Sequence, residues 1–215
     1  MREQTTPYVA HHFDDAAQQR DAASLGMWLF LVNEVMFFGG LFTTYVVYRT
    51  AFPEAFHDGS HHLDIGLGAF NTFVLLTSSL TMALSVHAAQ VSKRAMLVTN
   101  LILTQILGAI FLGVKAYEYW HKWHDHVIPG ASFRWDGPDA HHVQLFFSLY
   151  FAMTGLHALH MVVGAGLLMV LIVRARQGMF NSNYYTPVEM VGLYWHFVDL
   201  VWIFLFPLLY LLGRH

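Results

Sequence analysis

Residues 143–173 read VQLFFSLYFAMTGLHALHMVVGAGLLMVLIV, without one Asp, Glu, Lys or Arg. A bilayer core is crossed by roughly 20 mostly apolar residues in helix, so this stretch reads as a membrane span. It is long for one crossing, which implies tilt or extension beyond the lipid. Four further stretches are long and mostly apolar, with at most one charged residue each: Leu25–Tyr48, Gly66–Ala88, Leu97–Tyr117 and Met190–Leu212. The expected fold is therefore all-α, an integral membrane bundle of five transmembrane helices. Residues 1–24 form a polar N-terminal segment and residues 25–213 a single membrane domain.

Composition agrees with that reading. Of the 215 residues 56% are hydrophobic and only 12% charged, against about a quarter charged in an average soluble domain. The net charge of −3, with no basic stretch, leaves no footing for nucleic acid. The chain has no cysteine, which removes disulfides, thiolate metal sites and cysteine nucleophiles. The first 24 residues lack the basic start and apolar stretch of a signal peptide, so insertion is expected to use the first membrane helix. The longest loop, Glu118–His142, carries Pro129, Gly130, Gly137 and Pro138 and reads as an irregular surface excursion.

Lysine and arginine in short loops set orientation. One side holds Arg2, Arg20, Lys93, Arg94, Arg174 and Arg176; the other holds Arg49, Lys115, Lys122, Arg134 and Arg214. The helix-end pairs Lys93–Arg94 and Arg174–Arg176 favour a cytoplasmic N-terminus and an outside C-terminus.

Ionisable groups at membrane depth need a partner or a purpose. Glu34 lies roughly 13 Å into the first helix at 1.5 Å per residue, beside Asn33 and ahead of the small pair Gly39–Gly40, which permits close helix approach. It reads either as a proton-handling or lipid-contacting carboxylate, or as a carboxyl hydrogen-bonded for packing. His157 and His160 stand three apart on the fourth helix, hence on one face. With helices alternating in direction, His160 falls at the depth of Glu34, and a Glu34–His160 contact is expected. Lys115 and Glu118 have ion-pair spacing, and His196 and Asp199 the spacing of a histidine–aspartate hydrogen bond. Among helix histidines only His87 and His196, on different helices, are placed to clamp a haem. The outer loops carry His57, His61, His62, His121, His124, His126, His141 and His142. Such tracts bind zinc or copper in some proteins, but this spacing does not require it, and no metal site or catalytic residue is assigned.

Five segments carry a resemblance: GMWLFLVNEVMFFGG (26–40), NTFVLLTSS (71–79), LGVKAYEY (112–119), TGLHALHMVVG (154–164) and YWHFVDLVWIFLF (194–206). In order and content they resemble subunit III of the haem–copper (cytochrome c) oxidase family, in its short five-helix bacterial form. The resemblance implies a non-redox accessory subunit of a proton-pumping terminal oxidase that oxidises cytochrome c and reduces oxygen to water. Such a subunit holds no cofactor itself; haem and copper belong to partner subunits. It packs on subunit I, with subunit II and a small subunit or cytochrome c domain in the same complex, supports proton uptake and binds phospholipid in a bacterial inner membrane. Glu34 then matches the family's intramembrane carboxylate. His157, His160, Glu118, His196 and Asp199 also fall at motif positions. Glu34, His157, His160, His196 and Asp199 make up the expected internal polar network, with Trp28 and Glu34 touching lipid.

Quinol oxidases have a similar third subunit, and another relative accompanies nitric oxide reductases. LGVKAYEY looks most like the cytochrome c branch. Two readings come from other classes: a stand-alone proton-coupled transporter with Glu34, His157 and His160 as relay, and a di-haem membrane cytochrome. Transporters commonly show broken helices or inverted repeats, and the sequence shows neither.

Overall fold

The polar run Ala16–Ala23 is rich in alanine and glutamine, good helix formers, and Asp15 ahead of it caps the backbone by accepting from Gln18 N at 2.7 Å. In the computed structural model, which describes residues 9–10, 12–130, 133–135 and 137–212, helix α1 accordingly runs Ala16–Ala51. It starts well before the apolar stretch, because hydropathy does not register a helix that continues into water. After it come α2 (Pro53–His61), α3 (Ile65–Gln90), α4 (Arg94–His124), α5 (Ala140–Arg176) and α6 (Thr186–Phe206), the last prolonged by a π-helical turn over Pro207–Leu211. Five of these elements are long and apolar enough to cross a membrane. Among the described residues there is no strand, only a bridge between Asn181 and Tyr184. Arg2 and Arg214 of the charge count lie outside the described residues.

At 37 residues, α5 is about 55 Å long at 1.5 Å per residue, well beyond a core of about 30 Å. The loop expected over Glu118–His142 is correspondingly shorter: α4 continues to His124 and α5 begins at Ala140. The reason is a polar stripe. Lys115, Glu118 and Lys122 are buried on one face of α4, so the helix persists where hydropathy fades. Lys115 and Lys122 are thus interior side chains and not loop charges.

Helix α6 lies against α3, α5 and α1, and α3 pairs with α4, which pairs with α5. Trp195 and Trp202 of α6 are fully buried. Each indole N–H donates to a hydroxyl of α3, Trp195 to Ser78 Oγ at 2.9 Å and Trp202 to Thr72 Oγ1 at 3.1 Å, as a buried N–H requires. Two glycines make room for Trp195. A Cβ on Gly108 would lie 2.8 Å from its ring, and one on Gly164 3.0 Å.

Helix α1 is peripheral. It buries only Leu31, Phe38 and Tyr45, a single seven-residue stripe, and exposes Trp28, Val32, Val35, Met36, Phe37, Val46 and Val47. The Gly39–Gly40 pair does not serve a close helix contact: a Cβ on either would meet nothing within 4 Å. The crossing is made by Phe38 and Phe42, whose rings meet Phe197 and Phe204 of α6 and hold the backbones apart.

Candidate functional site

Helix periodicity puts Lys115, Glu118 and Lys122 on one edge of α4. α5 brings Tyr150 to that edge, and the chain end brings Tyr210. Proline at 207 has no N–H for the helix ladder, and the chain passes into a π turn that buries Leu209 and Tyr210. Lys115 Nζ donates to Glu118 Oε2 at 2.8 Å, to Tyr150 Oη at 3.2 Å and to Tyr210 Oη at 3.1 Å. Glu118 Oε1 accepts from Tyr210 at 2.6 Å and from Tyr150 at 2.9 Å. The ammonium also lies over the Trp202 ring, 5.0 Å from its centroid, a favourable cation–π placement. Lys122 Nζ caps the group, donating to the His62 carbonyl at 3.3 Å beside the Tyr150 ring. Tyr119 and Thr154 extend it through hydroxyls 2.5 Å apart. The expected Lys115–Glu118 pair is therefore the centre of a buried charge cluster.

At the periphery Glu34 Oε2 stands 3.2 Å from His160 Nε2. His160 Nδ1 is 2.9 Å from the Leu156 carbonyl. The Phe38 ring meets the imidazole edge-on, and Tyr194 Oη donates to the His160 carbonyl at 3.0 Å. The contact ties the loosely packed α1 to α5.

The other members of the expected polar network do not join it. His157 turns into the core between Phe111 and Trp202 and bonds the Val198 carbonyl through Nε2 at 3.1 Å; its Nδ1 is buried without a hydrogen-bond partner. Three residues on a helix are a rotation of about 60° short of a full turn, enough to give His157 and His160 different neighbours. His196 Nδ1 bonds Ser79 Oγ at 2.7 Å and not Asp199. Ser79 also stands beside Asp199, and both Asp199 carboxylate oxygens are buried. Asn71 on α3 is likewise buried with its amide unmatched. The sequence reading missed Tyr150, Tyr210 and Lys122. Lys122 carried a signal, since it extends the stripe of Lys115 and Glu118 by one turn; the tyrosines carried none.

The pair considered for a haem does not face. His196 is level with Ser79, and His87 lies two turns further along α3, about 12 Å at 1.5 Å per residue, with its side chain exposed. Among the described residues no group of three or more His, Asp or Glu gathers as a metal shell.

Residues 5–214 match the family profile described as cytochrome c oxidase subunit III. This chain belongs to that family. A cytochrome c oxidase subunit 3 of Synechocystis is 36% identical over 193 residues, 89% of this chain and 76% of the relative. One from Corynebacterium diphtheriae is 35% identical over 92% of this chain and 95% of its own length. A protein of Staphylococcus haemolyticus named as a probable quinol oxidase subunit 3 is 30% identical over 93% of this chain and 94% of its own. As a member of the cytochrome c oxidase subunit III family the chain is a multi-pass membrane subunit of a haem–copper oxidase complex. Its two charge contacts lie in the segments that carry the resemblance, Glu34 in 26–40, Lys115 and Glu118 in 112–119, and His160 in 154–164.

Proposed function

We propose that this chain is the accessory third subunit of a proton-pumping terminal oxidase that takes electrons from cytochrome c and reduces oxygen to water. It holds no redox centre, packs directly on the haem-bearing subunit I, and works beside subunit II and a small subunit or cytochrome c domain. Its role is to stabilise subunit I and sustain proton uptake. The observation that carries this reading is the family match along residues 5–214, which spans all five membrane helices. The two relatives of highest identity described above are named for cytochrome c oxidases. The Staphylococcus haemolyticus relative supports quinol as the alternative donor.

The membrane is a bacterial inner membrane, with the N-terminus in the cytoplasm and the C-terminus outside. Burial of Lys115 and Lys122 strengthens this orientation. The outer tally falls to Arg49, Arg134 and Arg214, against Arg2, Arg20, Lys93, Arg94, Arg174 and Arg176 on the cytoplasmic side. Phospholipid is held along α1. A groove of about 280 Å³ between α1 and α6 is lined by Val35, Phe38, Gly39, Phe42, Phe197 and Phe204 among others, a wall suited to an acyl chain. Glu34 precedes that groove on α1, and Trp28 stands exposed nearer the N-terminal end of the helix.

Purification of the chain from its native membrane in mild detergent, with a haem spectrum and subunit identification, tests the reading. Co-elution with a larger haem-bearing subunit is expected, and the accompanying donor subunit separates cytochrome c from quinol. A chain that elutes alone and haem-free would overturn the assignment as an oxidase subunit.

A further inference from the structure

Helix α2 forms in the connection between α1 and α3. Pro53 opens it, and it buries Ala55, Phe56, Gly59 and Ser60, Phe56 meeting the ring of Phe146 on α5. With that face inward, His57 and His61 project together on the exposed side, one helical turn apart. Their Nε2 atoms stand 3.2 Å apart. In a tetrahedral zinc centre with Zn–N near 2.0–2.1 Å, two ligand nitrogens lie about 3.3 Å apart, and cis positions of a square-planar centre about 2.9 Å. The observed separation falls between the two.

A second feature points the same way. His57 Nδ1 lies 3.4 Å from Asp58 Oδ1. A carboxylate on the far nitrogen fixes the tautomer and orientation of a metal-binding histidine. With the Nδ1 proton held toward Asp58, the Nε2 lone pair of His57 faces His61. Without a cation, His61 Nε2–H donates to that lone pair. With one, the His61 proton resides on Nδ1 and both Nε2 lone pairs face the ion.

We propose that His57 and His61 form a two-histidine site for a divalent transition-metal ion, zinc or copper, with Asp58 as a positioning residue for His57. Water fills the remaining coordination positions, because no group of three or more His, Asp or Glu side chains gathers among the described residues. His62 is not part of the pair: its ring lies edge-on to Trp135, 4.7 Å between centroids, and no third ligand gathers with His57 and His61 among the described residues. The site does not depend on the assignment as an oxidase subunit.

The probe is Cu²⁺ added to the full chain in mild detergent, prepared without a polyhistidine tag and read by electron paramagnetic resonance and by titration. One equivalent bound with two imidazole nitrogens is expected. His57→Ala and His61→Ala should each lower the affinity at least tenfold and abolish the two-nitrogen signature. Asp58→Asn should weaken binding about tenfold, the lower end of the usual loss of an outer-shell partner. His62→Ala should leave binding unchanged, and Zn²⁺ should compete for the site. A two-nitrogen centre that survives in both His57→Ala and His61→Ala would overturn the proposal, as would wild-type protein that shows none. His57, His61 and His62 are exposed and the Asp58 side chain is 42% exposed, so the variants keep the fold.

Discussion

The cluster around Lys115 and the contact at Glu34 both pair a carboxylate with a nitrogen base between helices, but their surroundings differ. Lys115 and Glu118 side chains are 3% and 5% exposed and share two tyrosine hydroxyls, so every polar atom there has an internal partner. Glu34 and His160 are 14% and 15% exposed, with one ion-pair contact, at the edge of a helix that buries three residues. The first cluster is part of the core that joins α4, α5 and the chain end; the second fastens a peripheral helix. Charge pairs in a membrane bundle thus carry very different weights, decided by how many neighbours enclose them.

Removing a carboxylate separates the two most sharply. Glu118→Ala leaves Lys115 and Lys122 buried without it, and breaking a buried pair by losing one partner costs about 3–5 kcal/mol. Unfolding of the detergent-solubilised chain should show that loss, and Lys115→Met in the same chain should recover part of it. A Glu118→Ala chain as stable as Glu34→Ala would erase the distinction. Tyr210→Phe tests the enclosure itself. It removes a hydroxyl that donates to Glu118 at 2.6 Å, and hydrogen bonds to charged groups are worth about 1.5–3 kcal/mol.

Packing follows the same division. Gly108→Ala forces a methyl against Trp195 and should cost about 1–3 kcal/mol by overpacking. Gly40→Ala, with open space around it inside a helix, should cost nothing and gain about 0.4–1 kcal/mol. Equal losses at the two glycines would mean that α1 is not peripheral. The Glu34–His160 coupling is the smallest of the expected losses. Membrane side-chain contacts average about 0.6 kcal/mol in double-mutant cycles, so Glu34→Ala and His160→Ala should be non-additive by about that much. Strictly additive losses would show that the two side chains do not work as a pair.

Much of this was legible from spacing and depth. Counting along alternating helices set Glu34 level with His160, and the i,i+3 rule paired Lys115 with Glu118. The same rule misled at His196, because Ser79 on a neighbouring helix offered a hydroxyl at 2.7 Å that the local spacing does not reveal. Lys122 was assigned to a loop because hydropathy averages over a window. One polar stripe on a long helix looks like the end of the helix.

The sequence by itself determined the five spans, since runs of about 20 or more mostly apolar residues are what a helix needs to cross a bilayer core. It also set Glu34 level with His160, because rise per residue is constant in a helix. Only the tertiary structure decided which of the polar groups share an environment. Tyr150 and Tyr210 come to Glu118 from distant parts of the chain, and the turn after Pro207 sets the rotation that delivers the second. That rotation, like the choice between Ser79 and Asp199 for His196, depends on how whole helices pack, and no local pattern encodes it.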